Sequence, residues 1–354
     1  MSDDFSWPDV IAPLMRGEDL GADAVSAALT TILEGEATDA QIAGFAVALR
    51  AKGETTTELA ALVRTMLAFG EHVDVPPGAP LVDTCGTGGD RSGTFNVSTA
   101  AALVAAGAGL RVAKHGNRAA SSQCGSADVL EVLGVAIDLG PEGVSHCIET
   151  AGIGFCFAPR FHPAMRFAGP PRRELGVATT FNFLGPLANP AGAARRTVGV
   201  SDPEMADRVI GTLAELGVER ALVFFGHDGL DELTTTTTST VRELRDGAVH
   251  RFVLDPLDVG LAHSTLDDLR GGDATMNASI VRSVVAGDKG AARDITVLNA
   301  AGALVVAGTV ADFAAGVEVA CAAIDDGAAA GALDALIAAS ASAHEVEARA
   351  AGEH

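Results

Sequence analysis

Four short segments concentrate the residue types able to handle an anionic substrate. The first follows an apolar run at Leu81 and reads Cys85-Gly86-Thr87-Gly88-Gly89-Asp90, then Arg91-Ser92-Gly93-Thr94-Phe95-Asn96-Val97-Ser98-Thr99, where a helix opens. Glycine permits close backbone approach, so consecutive N–H groups can converge on phosphate oxygens, with hydroxyls and a helix N-terminus adding donors. The spacing is neither G-x-G-x-x-G nor G-x-x-x-x-G-K-[ST], so dinucleotide and P-loop readings fail, and an ordinary Gly-rich turn is the alternative. The second segment, Lys114-His115-Gly116-Asn117-Arg118-Ala119-Ala120-Ser121-Ser122, gathers cations and hydroxyls between a strand and a helix. Strand carboxyl ends are where open sheets bind ligands, and Arg111 adds charge there.

The third segment, Gly226-His227-Asp228-Gly229-Leu230-Asp231-Glu232-Leu233, crowds three carboxylates into a tight turn. Such carboxylates repel unless a cation sits among them. Mg2+ favours one or two carboxylates completed by substrate phosphates and water; a solvated acidic turn is the bland alternative, and the Thr234 to Thr238 run reads as a β-prone edge. The fourth runs from His162-Pro163-Ala164-Met165-Arg166 through Pro171-Arg172-Arg173-Glu174-Leu175-Gly176 to Phe181-Asn182-Phe183-Leu184-Gly185-Pro186-Leu187 and Asn189-Pro190. Arg beside apolar and aromatic residues can pair with a carboxylate while a ring packs nearby, although surface helix charge reads the same way. No Ser-His-Asp or Cys-His arrangement emerges, and the nine His lack zinc spacing. Anion loops with an acidic turn suit chemistry that positions a phosphorylated substrate and stabilises a leaving phosphate group.

These segments need a scaffold. Residues 1–75 read as helices, with capping boxes at Thr38/Gln41 and Thr55/Glu58, glycines at Gly53 and Gly70, and apolar stripes Ile42, Phe45, Ala46, Leu49 and Leu59, Leu62, Val63, Met66. Pro76-Pro77-Gly78-Ala79-Pro80 then marks a boundary. Beyond it, apolar runs at Leu81, Leu110 to Ala113, Gly154 to Ala158, Thr197 to Val200 and Ala221 to Phe225 alternate with helical stretches, which argues for a mainly parallel sheet covered by helices. Val241 to Leu244 and Val249 to Val253, joined at Asp246-Gly247, read as a hairpin, so the sheet is mixed. The Ala-rich last third reads as packed helix with a Leu333, Leu336, Ile337 stripe.

Composition narrows the class. The chain has 354 residues, 48% of them hydrophobic, enough for a sizeable core and about two domains, which excludes disorder. With 46 Asp+Glu against 24 Lys+Arg the formal charge is -22, which opposes nucleic acid and anionic membranes. Arg91, Arg111, Lys114, Arg118 and Arg172 read as local exceptions reserved for the substrate. The five scattered Cys suit reduced cytoplasmic thiols, the stretch Ser92 to Leu110 is too polar to span a bilayer, and Met1 to Val10 lacks a signal peptide's basic and apolar regions.

C-G-T-G-G-D, N-V-S-T, K-H-G-N-R-A-A-S-S, G-S-A-D, H-P-A-M, F-N-x-L-G-P-L-x-N-P and G-L-D-E-L, in this order over positions 85 to 232, resemble the anthranilate phosphoribosyltransferase family of tryptophan biosynthesis. The resemblance implies an α/β fold of nucleoside phosphorylase and phosphoribosyltransferase type. A small helical domain over 1–76, joined by part of 170–192, would make a homodimer, and a larger mixed-sheet domain over 77–354 would bind phosphoribosyl pyrophosphate. It implies that the phosphoribosyl and pyrophosphate groups are held by Gly86, Gly89, Asp90, Thr94, Asn96, Val97, Ser98, Thr99, Lys114 to Ser122 and Ser126. By the same resemblance Ser98, Asp231 and Glu232 hold Mg2+, and Gly86, Asn117 and Arg172 contact anthranilate, with His115 and His162 along its path. No dedicated acid or base is implied, because the aromatic amine is already a neutral nucleophile at pH 7. Where many members have Arg-Thr and S-T-T-G-P, this chain has Ala178-Thr179 and Thr235 to Thr238. A pyrimidine nucleoside phosphorylase would share the fold and the glycine-rich logic, and a catalytically silent nucleic-acid-binding relative is the reading from another class.

Overall fold

The computed structural model describes residues 5–119 and 123–352. Four helices, α1 (Trp7–Met15), α2 (Ala22–Leu33), α3 (Asp39–Lys52) and α4 (Thr56–Ala68), precede the proline-rich crossing to β1 (Leu81–Gly86). The chain continues through α5 (Val97–Gly107), β2 (Arg111–Gly116), α6 (Ser126–Leu133), α7 (Pro141–Ala151) and β3 (Ile153–Phe157). Three short helices, α8 (Ala158–Phe161), α9 (Gly169–Leu175) and α10 (Phe181–Leu184), lead to β4 (Arg195–Gly199), α11 (Pro203–Glu215) and β5 (Arg220–Gly226). A hairpin of β6 (Ser239–Arg245) and β7 (Ala248–Leu254) is followed by α12 (Ala274–Val285), α13 (Ala291–Ala307), α14 (Phe313–Asp325) and α15 (Ala328–Gly352).

Local chemistry sets these boundaries. Thr38 and Thr55 each accept the N–H of the residue three positions on while Gln41 and Glu58 reach back, forming both capping boxes. Asp246 (φ 52°) and Gly247 (φ 74°) turn the hairpin, in the left-handed conformation that an Asp-Gly pair tolerates. The sheet order is β3-β2-β1-β4-β5-β6-β7, parallel from β3 to β5 and antiparallel through β6 and β7. The chain leaves β1 toward β2 and β3, then returns to β4 on its other side. The switch point therefore lies between the carboxyl ends of β1 and β4, where an open sheet forms a crevice.

Two apolar clusters pack the molecule. One joins α5, α12 to α15 and one sheet face, through Leu103, Val112, Leu130, Phe155, Leu298 and Leu333. The other runs without a break from Leu29, Phe45 and Leu62 of the helical bundle through Phe181, Phe183 and Leu187 to Val198, Val209 and Val223. Helices α8 to α10 thus sit between bundle and sheet. No helix among the described residues is long and apolar enough to cross a membrane.

Glu58, fully buried, does more than cap α4. It accepts the N–H groups of Leu20 (2.8 Å) and Thr55 (2.7 Å) and pairs with the Lys52 ammonium at 2.8 Å. Glu58→Ala should lower the unfolding free energy by about 3 kcal/mol, the scale for breaking a buried pair, read as a shifted urea midpoint at constant m-value.

Candidate active site

The switch-point crevice is a cleft of ≈ 730 Å³ lined by both anion segments and by Asp231 and Glu232. Gly86 ends β1 directly beneath Asp231: a Cβ there would lie 2.4 Å from Asp231 Oδ2, and one on Gly199 would lie 1.7 Å from the Asp231 carbonyl oxygen. Glycine at both positions lets the carboxylate loop descend between two strand ends. Asp231 then accepts the Gly88 N–H at 2.6 Å, so this amide of the glycine loop braces a protein carboxylate instead of facing a phosphate. Glu232 accepts the Ser98 N–H at 3.2 Å, at the start of α5. Arg91, exposed on the cleft rim, holds φ 55° without being glycine.

Lys114 and His115 lie inside β2 and are buried, where the sequence suggested a loop after the strand. The Lys114 ammonium donates to the Thr84 carbonyl (2.6 Å) and to Ser98 Oγ (3.3 Å). Burial lowers its pKa, opposed by Asp83, Cys85 and Glu232. Asp83, fully buried, accepts the His115 N–H (3.1 Å) and the Asn189 amide (2.8 Å). Burial likewise raises Asp231, with Asp90 adding repulsion and the Gly88 N–H opposing, and raises Glu232, with Asp231 adding repulsion and Lys114 opposing.

Several expectations change. Asp228 faces away from the cleft, accepting Thr234 Oγ1 (2.6 Å), Thr236 Oγ1 and the Leu230 N–H (3.1 Å). The threonine run is therefore a hydroxyl-lined turn around a carboxylate, not a strand, and β6 begins only at Ser239. Thr99 is 1% exposed and does not line the cleft. Arg111 sits at the amino end of β2, donating to the carbonyls of Ala79 (3.2 Å) and Pro76 (2.9 Å), remote from the strand's carboxyl end. Arg118 lines the cleft but is already paired with Glu131 and Asp128, which raise its pKa. Asn96 spends its amide on the Cys124 carbonyl (3.2 Å) and its oxygen on Asn277 (2.9 Å), so its side chain ties the first loop to the second. Ala120, Ser121 and Ser122 lie outside the described residues. Gly86, Gly89, Asp90, Thr94, Asn96, Val97, Ser98, Lys114 to Ala119, Ser126, Asp231 and Glu232 all line the one cleft.

A second cavity of ≈ 470 Å³ opens between this cleft and the helical bundle. It shares Cys85, Gly86, His115, Gly116 and Asn117 with the first, and adds Met66, His162, Met165, Arg166, Arg172, Arg173, Phe181 and Asn182. Arg172 stands 5.9 Å from the Phe181 ring centroid and has no carboxylate partner among the described residues; burial lowers its pKa. His115 and His162 meet edge to face at 5.2 Å. Burial pushes each down to about 4, so both are neutral at pH 7. His115 Nδ1 lies 2.9 Å from the Gly185 carbonyl, which only accepts, so that nitrogen carries the proton and Nε2 is left as an acceptor without a partner among the described residues.

Sequence reasoning missed Asp83, Asn277 and Met66. Asn189 stood in the quoted fourth segment without a role, whereas Asn277 lies far beyond the motifs, marked only by the Gly271-Gly272-Asp273 turn before α12.

Comparison with known proteins follows this division. Residues 8–70 match the helical bundle domain of the glycosyl transferase family, and residues 78–330 match its a/b domain. The anthranilate phosphoribosyltransferase of a Nocardioides species is 54% identical over 341 residues, covering 95% of this chain and 99% of that protein. That of Roseiflexus castenholzii is 50% identical over 331 residues, covering 93% and 97%. Among solved structures, anthranilate phosphoribosyltransferase from Thermus thermophilus superposes with TM-score 0.88 at 41% identity, covering 94% of this chain and 99% of that one. The Saccharomyces cerevisiae enzyme in complex with PRPP and Mg superposes with TM-score 0.86 at 27% identity, covering 95% and 98%. Neither the phosphorylase nor the nucleic-acid-binding reading finds support among these proteins.

Gly199→Ala tests the packing beneath the carboxylate loop. The added Cβ must displace the Asp231 backbone, so a loss of about 2 kcal/mol in unfolding free energy is expected, with turnover falling further than stability predicts.

Proposed function

This chain belongs to the anthranilate phosphoribosyltransferases of the glycosyl transferase family, and from that premise we infer that it transfers the phosphoribosyl group of phosphoribosyl pyrophosphate to the amino group of anthranilate. The products are N-(5-phosphoribosyl)anthranilate and pyrophosphate, a step of tryptophan biosynthesis. The observation that carries this reading is the junction of the two cavities. A polar cleft at the strand ends meets an Arg-bearing aromatic cavity at Gly86, His115 and Asn117, so two different substrates can abut there. The phosphorylated sugar belongs in the first cavity and the aromatic acid in the second.

Asp231, Glu232 and Ser98 fit a hard cation. Two mutually repelling carboxylates, Asp231 buried and Glu232 half-buried, beside a hydroxyl are the donor set that Mg2+ completes with substrate oxygens and water, and among the described residues no three His, Cys, Asp or Glu form a closed metal cage. Bound Mg2+ would offset charge developing on the pyrophosphate oxygens. Lys114 cannot swing freely, because Thr84 and Ser98 hold its ammonium; it contributes positive potential to the cleft floor and orients Ser98. Arg172, half-buried and without a carboxylate partner among the described residues, pairs with the anthranilate carboxylate and holds the amine toward the ribose. The neutral state of His115 and His162 matters as well: a cation there would oppose the oxocarbenium-like sugar formed as pyrophosphate leaves.

We further propose that the unit over 1–76, with part of 170–192, carries a homodimer interface, separate from the phosphoribosyl-binding unit over 77–354. Exposed Met15 (78%) and Val47 (42%) on the bundle support this. Met15→Glu with Val47→Glu should halve the mass seen by light scattering; an unchanged mass places the interface elsewhere.

The deciding experiment is turnover with anthranilate, phosphoribosyl pyrophosphate and Mg2+, which EDTA should abolish. Asp231→Asn with Glu232→Gln should cut kcat/KM by about 100-fold or more and flatten the Mg2+ titration. Because burial raises both carboxyl pKa values and Mg2+ binds their ionised forms, Mg2+ affinity should tighten as pH rises from about 6 to about 8. Arg172→Ala should raise the anthranilate KM about tenfold and spare that of phosphoribosyl pyrophosphate.

A further inference from the structure

Helix α10 has only the four residues Phe181–Leu184, too short to hold its own shape, so its position depends on what grips it from outside. One side faces the aromatic cavity with Phe181 and Asn182. The other side is anchored by residues that no motif singled out. Thr180, 1% exposed, donates its hydroxyl to Glu54 Oε1 at 2.5 Å, and Glu54 is itself 2% exposed in the turn between α3 and α4. The second oxygen of Glu54 accepts from Arg50 of α3 (3.2 Å) and Arg208 of α11 (3.4 Å). Arg50 reaches further, pairing with Asp202 at the start of α11 and standing 5.1 Å from the Phe183 ring centroid. A single ionic cluster therefore grips both Thr180 and Phe183, the residues flanking the pair that faces the cavity.

We propose that Glu54 and Thr180 are positioning residues for the aromatic substrate. The carboxylate of the helical bundle, fixed by two arginines, holds the Thr180 hydroxyl. That bond sets the backbone from which Phe181 supports Arg172 and Asn182 enters the cavity. Thr180 is the only donor to Glu54 Oε1 among the described residues, so its loss leaves a buried acceptor unsatisfied and frees α10 to shift. Neither residue touches the phosphate cleft, so the effect belongs to one substrate. The inference rests on assigning the ≈ 470 Å³ cavity to anthranilate.

The test is steady-state kinetics with each substrate varied in turn, on wild type, Thr180→Val, Thr180→Ser and Arg172→Ala, with thermal unfolding of each. Thr180→Val keeps the shape and removes the hydroxyl; it should raise the anthranilate KM about fivefold while the phosphoribosyl pyrophosphate KM stays within about twofold, and Thr180→Ser should restore the wild-type value. An unchanged anthranilate KM in Thr180→Val, an equal rise in both constants, or a Thr180→Ser variant as impaired as Thr180→Val would overturn the proposal. Should Thr180→Val not fold, Thr180→Ala carries the same expectation, and unfolding of both would show that the bond serves stability alone. If Arg172→Ala leaves the anthranilate KM unmoved, the cavity assignment fails and the positioning role fails with it. If Arg172→Ala raises that KM and Thr180→Val does not, only the positioning role fails.

Discussion

Two adjacent carboxylates at the end of a parallel sheet, Asp231 buried and Glu232 half-buried, are the constraint from which the rest of the site follows. Asp231 and Glu232 repel each other and Asp90, and burial removes the water that would screen them. They persist because each has a backbone donor, from Gly88 and Ser98, and because Lys114 lies close enough to oppose the charge on Glu232. Each support adds a requirement of its own. The Gly88 bond needs the loop to sit directly on β1 and β4, so Gly86 and Gly199 carry no side chain. Lys114 must be held by Thr84 and Ser98, and Asp83 must lie behind it in the core.

The arrangement also shows how a chain of charge -22 accommodates an anionic substrate. Little of the positive charge that clusters in sequence is free at the cleft. Arg111 ties the proline-rich crossing and Arg118 is paired with surface carboxylates. What remains is Lys114 on the floor, Arg91 on the rim, and Arg166, Arg172 and Arg173 around the second cavity. Two histidines kept neutral by burial add no charge to the second cavity. The local potential of the two cavities thus comes from where single charges are placed, while the net charge describes the whole surface.

The helices, the strand order of types and the hairpin were legible because each rests on local chemistry: capping boxes at Thr38 and Thr55, the Asp246-Gly247 turn, and apolar runs of strand length. The glycine loop and the acidic turn were legible as candidate chemistry only together, because either one alone reads equally well as an ordinary Gly-rich or solvated acidic turn. Errors arose where a residue's neighbour is distant in the chain. Lys114 and His115 looked like loop residues because their polarity hides the strand, which tolerates them through Asp83 and Thr84. Asp228 looked equivalent to Asp231 until the Thr234 and Thr236 hydroxyls claimed it.

Residue type and order by themselves determined that this chain builds a helical bundle followed by a mixed α/β sheet, and marked its glycine, Lys-His-Gly-Asn-Arg and Asp-Glu segments as candidates for binding an anion and a cation. Those features depend on contacts within a few residues or on side-chain chemistry that is the same in any fold. Only the tertiary structure decided which charges line the two cavities, because ionisation and pairing depend on burial and on partners such as Glu54 and Thr180, which stand 126 positions apart in the chain. The same holds for the joining of two cavities at Gly86 and His115, a consequence of the chain reversing direction across the sheet between β1 and β4.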